Sequence, residues 1–548
     1  MTNACSVRTR PWLAAALSLL AGALFLSFPG IAAAAVCSRT HWIGAWADAP
    51  SDASAGSSVA DMFDPSGHPK KPVDNETIRA VLTPTYGGST VRIHLSNRFG
   101  ISPAVFGHVT IALMGAGAAL AGPATTIKFA GRRSVTVAPG QDVVSDPFHF
   151  SFRAMQTLAV SMYVSNDPGK PTEHFTARQT SYLTDAGAGD HAADESGAAF
   201  TNPSTDRDYV DGIDVLAPAS AGAAVAFGDS ITDGFQGQAP DGIPEVASTL
   251  NVNGRWPDDL ARRLIAAHIS LSVLNEGISG NRVLLPGSAG GNYDTYGPSA
   301  LSRLKLDVLA QSGVTTVIWL EGINDIGQIP GASAAQIEAG YVNGIAEMHA
   351  AGLKVLQGTL TPAGGYVYPS YGSAQANAER EAINTWIRTK SPADGVIDFD
   401  AAVRNSTDTA IKPAYDGGDH LHFNLAGYRA MANAINLRQL RTPTCTKPKL
   451  RLTLTPHTVH AGVSVTVHLR VTATGVGSVP PRRSQSGATT SARTAAATRA
   501  SRSDSPSPVE SASAPPQAAT SRSRSRSASS SKNAEPRRSG SRRSIGPA

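Results

Sequence analysis

Short apolar runs alternate with longer helix-like segments five times between residues 216 and 442, and this alternation restricts the fold more than any other feature of the chain. The apolar runs include AVAF, TTVIWLEG and GVIDFD, and the segments that follow them include WPDDLARRLIAAH and SAQANAEREAINTWIRTK. Parallel strands need long crossover connections, usually helices, and both faces of a parallel sheet must be covered. The pattern therefore predicts a doubly wound parallel α/β domain over residues 216–442.

A period of two dominates the preceding part of the chain. Short runs in which apolar and polar residues alternate are separated by Gly, Pro, Asn and Asp, and no long amphipathic helix lies between them. The clearest runs are Thr90–Asn97, His108–Met114, Ser134–Gly140 and Leu158–Val164. This pattern is typical of a β-sandwich or jelly-roll-like domain. We assign such a domain to residues 36–215 and find no catalytic set of residues in it.

The N-terminal 35 residues combine a basic start with an apolar run. Arg8 and Arg10 precede about 18 mostly apolar residues, and an Ala-rich stretch follows them. This order predicts a cleaved signal peptide over residues 1–35, and hence a secreted protein. An uncleaved membrane anchor is the alternative, but the Ala-rich stretch favours cleavage. A lipoprotein at Cys37 is disfavoured because Val36 stands where a small residue is needed.

The three cysteines add to this picture. Cys5 would leave with the signal peptide, so Cys37 and Cys445 would remain, near the two ends of the region that we expect to fold. An even pair of cysteines in an oxidising compartment favours a disulfide. We therefore predict a bridge between Cys37 and Cys445, with two free thiols or pairing between chains as the alternatives.

The C-terminal part of the chain carries the positive charge. The net charge is +5 and the isoelectric point is near 9.1, but residues 481–548 hold 13 Lys and Arg against 3 acids, which leaves the rest near −5. We therefore expect no nucleic-acid partner. Residues 443–476 alternate like strands and predict a partial β module or linker. Residues 477–548, rich in Ser, Arg and Pro, predict a disordered tail, passive or weakly attached to an anionic cell surface.

Polar residues suited to acyl transfer stand at the ends of the predicted parallel strands. Ser230 follows the first strand in GDSIT, Gly280 lies in GISGN after the second, and Asn324 lies in GIND after the third. Asp419 and His422 lie in DHLH, just before the last helix. Ligands of open α/β sheets bind at the carboxyl ends of the strands. These residues are therefore expected to converge on one edge of the sheet.

Ester hydrolysis explains why these residue types are needed. A serine hydroxyl is a weak nucleophile until an imidazole takes its proton, and a carboxylate must hold that imidazole in one tautomer. Ser230, His422 and Asp419 can perform these three tasks. The backbone N–H groups of Ser230 and Gly280 and the amide of Asn324 can stabilise the oxyanion.

The four blocks, in this order, resemble the SGNH or GDSL hydrolase family over roughly residues 220–440, about 40% of the chain. HWIGAWADAP and LSNRFG in the β-rich part are similar to the leader domain of larger secreted bacterial members. The resemblance implies a flavodoxin-like serine esterase without metal or cofactor, in which Ser230 attacks, His422 acts as base and then acid, and Asp419 orients it. It also implies that Ser230, Gly280 and Asn324 form the oxyanion hole. Phe423 departs from the pattern, because many members have Pro after the catalytic His.

Neighbouring polar residues have simpler interpretations. Asp229 is expected to brace its turn, and Asp325 to cap the turn that follows it. His420 competes with His422, and Asp416 with Asp419, but the Asp-x-x-His spacing selects Asp419 with His422. His420 is then a solvated or packing residue.

The sequence predicts a secreted, monomeric carboxylic-ester hydrolase that acts on small acyl groups carried by carbohydrate. Hydrophilic loops such as PGSAGGNYDTYG could border a sugar-ester cleft, which favours carbohydrate over lipid. A lipase or lysophospholipase-type acylhydrolase is the alternative within the same chemistry. A polysaccharide-binding protein with an inactive hydrolase domain is the alternative from another class.

Overall fold

A computed structural model describes residues 40–53, 73–236, 250–291, 296–440, 449–455 and 468–474. The signal peptide, Cys37, Cys445 and the tail from residue 477 lie outside the described residues, so those expectations stay predictions. The chain divides into two compact units, Met1–Pro481 and Arg482–Ala548, and all described residues belong to the first.

The first part of this unit is built of strands. They are β1 (Thr40–Ala47), β2 (Ser51–Asp52), β3 (Glu76–Leu82), β4 (Gly88–Asn97), β5 (Ala104–Leu113), β6 (Thr125–Thr126), β7 (Val135–Val137), β8 (Gln141–Val144), β9 (Phe148–Phe152), β10 (Leu158–Val164), β11 (Thr172–His174), β12 (Ser181–Leu183), β13 (Asn202–Ser204), β14 (Arg207–Asp208) and β15 (Val210–Pro218). One antiparallel sheet has the order β1–β15–β4–β8, with β9 also on β4, and another has the order β13–β12–β3–β10–β5–β6, with β7 also on β5. A small third sheet is ordered β14–β11–β2.

The two larger sheets share one apolar core, which makes this part a β-sandwich. In β4, Val91, Ile93 and Leu95 are fully buried, and they belong to the same core as Val160 and Met162 of β10 in the other sheet. Residues at every second position of a strand share one face, so alternation in the sequence becomes burial on one side. The predicted N-terminal β-rich domain is confirmed.

The second part alternates strands and helices. The strands are β16 (Gly222–Gly228), β17 (Leu271–Gly277), β18 (Val314–Leu320), β19 (Lys354–Gly358) and β20 (Gly395–Ile397). The helices are α1 (Ser230–Asp233), α2 (Trp256–Ala266), α3 (Ala300–Leu304), α4 (Ile323–Gly327), α5 (Ala334–Ala350), α6 (Pro369–Gly372), α7 (Ala374–Thr389), α8 (Phe399–Val403) and α9 (Leu425–Ala434), with a π-helical turn at Lys305–Leu309 and 3-10 turns at Ala289–Gly291 and Leu437–Gln439. All pairs in the sheet are parallel, in the order β17–β16–β18–β19–β20. This is the flavodoxin-like order.

The boundary between the two parts lies slightly later than the sequence suggested. Residues 216–218, which we expected in the α/β part, complete β15, and β16 begins at Gly222. Trp256 and Trp319 are buried in the core of the α/β part. The rings of Trp319 and Phe227 pack with their centroids 5.8 Å apart, and those of Trp256 and Phe399 with their centroids 5.5 Å apart.

The β-rich part covers the edge strand β17 of the parallel sheet. The hydroxyl of Thr85 accepts the N–H of Val273 and donates to its carbonyl, both at 2.9 Å. The hydroxyl of Ser272 donates to the carbonyl of Gly44 in β1 at 2.6 Å. An open edge strand leaves backbone groups unpaired. Here the Thr85 side chain pairs with the backbone of Val273, and the Gly44 carbonyl accepts from the Ser272 side chain. The two parts therefore share a specific interface.

After the α/β part, strands β21 (Lys449–Thr455) and β22 (His468–Thr474) form an antiparallel pair. This pair lies within the partial β module or linker that the sequence predicted for residues 443–476. None of the helices in the described part of the chain is both long and apolar enough to span a bilayer.

Candidate active site

Ser230 stands at the junction between β16 and α1. Every residue of β16 is buried, and the chain turns into α1 directly after it. Asp229 precedes the helix, and its carboxylate accepts the N–H of Ile231 at 3.0 Å. Asp229 thus braces the turn, as the sequence predicted, and the Ser230 side chain is left at the carboxyl end of the sheet.

His422 and Asp419 meet Ser230 at this edge. The Nε2 atom of His422 lies 2.8 Å from Oγ of Ser230, and its Nδ1 atom lies 2.6 Å from Oδ2 of Asp419. The other carboxylate oxygen of Asp419 accepts the N–H groups of Leu421 at 3.0 Å and His422 at 2.8 Å. Burial alone raises the pKa of Asp419, but His422 and these N–H groups more than offset it and lower the pKa to about 2.

This arrangement fixes the tautomer of the imidazole. An ionised carboxylate only accepts hydrogen bonds, so Nδ1 of His422 must carry a proton and donate a hydrogen bond to Asp419. In the neutral ring, Nε2 then has a free lone pair directed at the Ser230 hydroxyl. The Phe235 ring packs against the imidazole at 4.6 Å between centroids. The geometry is that of a serine nucleophile with its general base and an orienting acid.

The competing acid and histidine form a separate pair. The Nδ1 atom of His420 lies 2.5 Å from Oδ2 of Asp416, and about half of the His420 side chain is exposed. His420 is absent from the cavity around Ser230. Phe423, where Pro is common, is fully buried and packs on the Tyr428 ring at 5.6 Å between centroids.

The cavity that contains Ser230 is also lined by Gly280 and Asn324, the other expected oxyanion donors. Within the described residues, neither the N–H of Ser230 nor that of Gly280 donates to a protein acceptor. Gly280 has φ +81°, and a Cβ there would lie 2.3 Å from the Tyr296 ring. Glycine is thus required both for the conformation and for the space. Gly280, Asn324 and Ser230 all line the same cavity.

The amide of Asn324 is held at both ends. Its Nδ2 atom donates to the carbonyl of Asn281 at 2.9 Å, and its Oδ1 atom accepts the hydroxyl proton of Tyr371 at 2.8 Å. A carbonyl can only accept, so the NH₂ end must face Asn281, and the amide has one orientation. The second N–H of Nδ2 remains for a ligand, because these two contacts do not use it.

The expectation for Asp325 was wrong. Its carboxylate does not cap its own turn but accepts the N–H groups of Val283 at 2.7 Å and Leu284 at 3.0 Å. Helix α4 is only five residues long, and the loop after Gly280 supplies two backbone donors to this carboxylate in addition to the N–H of Asp325 itself. Asp325 therefore fixes the loop that carries Gly280.

The cavity at Ser230 has a volume of about 90 Å³ and largely aromatic walls. It is lined by Phe175, Ser230, Phe235, Ser279, Gly280, Tyr296, Asn324, Gln328, Tyr366, Tyr371, Leu421 and His422. Sequence analysis found the reactive groups among these but missed the aromatic walls. Phe175 comes from the β-rich part, in which we had found no catalytic set. No spacing in the sequence links Phe175 or Tyr371 to the four blocks.

One group of carboxylates elsewhere in the described residues is close enough to hold a cation: Glu381, Asp400 and Asp408. Arginines already pair with it. Arg380 lies 2.7 Å from Asp400, and Arg404 lies 2.8 Å from Asp400 and 3.0 Å from Asp408. None of the three acids lines the cavity at Ser230.

The α/β part is similar to known proteins. The model of the GDSL-like Lipase/Acylhydrolase family matches residues 226–430. No curated protein matches the chain. Similar solved structures include an inhibitor-bound aryl esterase from M. smegmatis, 22% identical with a TM-score of 0.32, over 40% of this chain and 99% of that one. Others are a carbohydrate acetylesterase from Sinorhizobium meliloti (17% identical, TM-score 0.31, 39% and 95% covered) and a lipase/acylhydrolase from Enterococcus faecalis (21%, 0.29, 40% and 95%).

Proposed function

Because residues 226–430 belong to the GDSL-like lipase/acylhydrolase family, we propose that the chain is a serine esterase that cleaves carboxylic esters through an acyl-enzyme. The observation that carries this proposal is the chain of contacts from Ser230 through His422 to Asp419, inside a cavity large enough for a small acyl group.

The reaction uses each of these groups in turn. Oγ of Ser230 attacks the carbonyl carbon of the ester while its proton passes to Nε2 of His422, and the ionised Asp419 stabilises the resulting imidazolium. When the bond to the alcohol breaks, the alcohol takes that proton from Nε2 and leaves an acyl group on Ser230. Water, deprotonated by His422, then attacks the acyl carbon and releases the carboxylic acid and free Ser230.

The oxyanion of both tetrahedral intermediates needs donors that are already in place. The N–H groups of Ser230 and Gly280 and the remaining N–H of Asn324 supply them in this proposal. Because they are held before the reaction, no reorganisation is needed as charge develops. Removal of one such donor typically costs about 2.7–4 kcal/mol of transition-state stabilisation.

The cavity favours a short acyl group. Its volume is about 90 Å³, and its walls include the rings of Phe175, Tyr296, Tyr366 and Tyr371. An acetyl group fits such a space, whereas a long acyl chain would have to lie outside it. Tyr368, which is well exposed, contacts the Tyr366 ring and gives the entrance an aromatic face suited to a sugar ring. We therefore propose acetylated carbohydrate as the substrate class.

The rest of the proposal concerns where the enzyme acts. The predicted signal peptide and the basic tail suit a secreted, monomeric enzyme that acts on external esters, with the tail at most weakly bound to an anionic surface. Deletion of residues 477–548, with cell association measured in low and high salt, tests the role of the tail, because electrostatic attachment weakens as salt rises.

The activity is tested with p-nitrophenyl esters of increasing acyl length beside acetylated polysaccharides, using wild type and Ser230→Ala. We expect hydrolysis of the acetate, a fall in kcat/KM beyond about four carbons, release of acetate from polysaccharide, and no turnover by the variant. Faster hydrolysis of long-chain esters would replace the carbohydrate proposal with a lipase. Polysaccharide binding without hydrolysis of any ester would identify a binding protein instead.

A further inference from the structure

We propose that Arg178, a residue of the β-rich part, is a positioning residue of the active site that fixes the Ser279–Gly280 loop and, through Phe235, the ring of His422. The inference rests on the proposed esterase activity and adds to it. It gives the β-rich part a supporting role at the active site, through residues 172–178.

Residues 172–178 run from the small sheet of the β-rich part to the cavity. Strand β11 pairs with β14 and β2, and directly after it Phe175 lines the cavity beside Ser230. Thr176 and Arg178 then adopt φ of +54° and +58°. A β-branched residue rarely takes this conformation, so the local backbone is strained.

The strained backbone is held by the β-rich part. The carboxylate of Asp206 accepts the N–H of Thr176 at 2.9 Å, and the carbonyl of Thr205 accepts the N–H of Ala177 at 2.7 Å. Strain of this kind persists only where surrounding contacts hold it in place. Here it directs the Arg178 side chain into the interface with the α/β part.

Arg178 makes its contacts in the α/β part. Its guanidinium donates to Oγ of Ser279 at 3.1 Å, lies 3.7 Å from a carboxylate oxygen of Asp233, and stacks 4.4 Å from the centre of the Phe235 ring. Only 5% of the side chain is exposed. A planar guanidinium can form a directed hydrogen bond and a ring contact at the same time. One side chain therefore reaches both groups that flank the reacting atoms.

The hydroxyl of Ser279 is held by two partners. Its hydroxyl donates to Oδ2 of Asp233 at 2.5 Å and accepts from Arg178. Asp233 in turn lies 3.3 Å from Nε2 of His174, the last residue of β11. Burial alone raises the pKa of Asp233, but His174 and Arg178 more than offset this and lower it, so the carboxylate stays charged.

These contacts are made by the residue directly before the proposed oxyanion donor Gly280. Ser279 precedes Gly280, whose carbonyl accepts from Gln328 at 2.7 Å on the other side of the loop. The Gly280 N–H is thus placed by Arg178 from one side and Gln328 from the other. Phe235, under the guanidinium, contacts the imidazole of His422. Loss of Arg178 would loosen the donor and the base together.

The experiment compares Arg178→Met and Arg178→Lys with a matched control, Arg92→Met. Arg92 also belongs to the β-rich part, donates to a serine of the α/β part (Ser312, 3.1 Å) and stacks 4.6 Å from an aromatic ring (Trp42), but it does not line the cavity. Hydrolysis of p-nitrophenyl acetate gives kcat and KM. Hydrogen exchange of peptides covering residues 277–282 reports on the loop without depending on activity, and thermal unfolding reports on stability.

We expect Arg178→Met to lower kcat by about tenfold to a hundredfold with KM within about threefold, because small displacements of catalytic groups are costly. Exchange in residues 277–282 should accelerate. Arg178→Lys should recover part of kcat, since it keeps the charge and a donor, and Arg92→Met should keep kcat within about twofold even where it lowers the unfolding temperature.

Two results would overturn the proposal: unchanged kcat and exchange in Arg178→Met, or losses of kcat in the Arg178 and Arg92 variants that follow their unfolding temperatures alike. If wild type hydrolyses no ester, the proposed function fails, and the exchange measurement alone decides whether Arg178 holds the loop.

Discussion

The Nε2 atom of His422 lies 2.8 Å from Oγ of Ser230, although the two residues are 192 positions apart. Ser230 follows the second strand in the spatial order of the parallel sheet, and His422 lies in the loop before α9. In a parallel sheet the carboxyl ends of all strands point to one edge. Four crossovers thus bring the two ends of this long segment together at a single hydroxyl.

Ser230→Ala should abolish ester hydrolysis and covalent labelling by an organophosphorus ester. The hydroxyl is the only reactive atom that the substitution removes, and a single hydroxyl adds little to packing, so the unfolding temperature should stay within about 2 °C of wild type. Turnover assays and differential scanning calorimetry give both quantities. Substantial remaining turnover would show that another nucleophile is in use.

His422→Ala and His420→Ala should differ sharply. His422 contacts both Ser230 and Asp419, whereas His420 is half exposed and pairs with Asp416. We expect kcat to fall by at least about a thousandfold in the first variant and less than about threefold in the second. The opposite order in steady-state assays would show that the wrong histidine was chosen.

Asn324→Ala should lower kcat by about 10² to 10³ with little change in KM, because the amide binds the oxyanion more strongly than the ester. Tyr371→Phe removes only the hydroxyl that holds Oδ1 of Asn324, so it should lower kcat by about three- to tenfold. An effect of either change on KM alone would assign the amide to substrate positioning rather than to the oxyanion.

The arrangement of the α/β part could be predicted from sequence because its information is local. Each strand is a short apolar run, and the apolar residues of the helices recur at the helical period. Strands β16 to β20 and their crossovers therefore follow from the pattern of apolar residues. The reactive groups follow from the same source, since Ser230, Asn324 and His422 stand at strand ends or loops in recognisable blocks.

The walls of the site could not be predicted in this way. Phe175 and Arg178 come from a different part of the chain, and their role depends on how the β-rich part packs against β17. Tyr371 lies in a four-residue helix with no periodic signal. The contacts of Asp325 could not be predicted either, because its partners Val283 and Leu284 are tertiary neighbours that no local pattern identifies.

Phe175→Ala should shift acyl preference toward longer chains. The ring lines the cavity, and its removal adds space beside Ser230, so the ratio of kcat/KM for butyrate or hexanoate to that for acetate should rise by roughly tenfold. Phe129→Ala is the matched control, since Phe129 is equally buried in the β-rich part but lies outside the cavity. The same ratio in wild type and both variants would show that Phe175 does not limit the acyl group.

The last prediction concerns stability against pH. Glu321 is fully buried at the end of β18, and its carboxylate accepts the indole N–H of Trp319 at 3.0 Å. Burial raises the pKa of Glu321 from 4.5 to about 7, although Arg303 and the indole act in the opposite direction. The unfolded chain therefore releases this proton at lower pH than the folded protein does. The contribution of Glu321 to the unfolding free energy therefore falls as pH rises from about 4.5 to about 7 and is lost above that range.

Glu321→Gln keeps the shape and an acceptor for the indole but does not titrate. Its unfolding free energy relative to wild type should therefore rise across the same pH range, by roughly 3 kcal/mol at about 1.4 kcal/mol for each pH unit. Urea unfolding of both proteins between pH 4 and 8 measures the difference, and acids that do not interact with Glu321, such as Asp211, cancel because both proteins contain them. Parallel curves over this range would mean that Glu321 titrates at the same pH in the folded and unfolded chains, contrary to the effect expected from its burial.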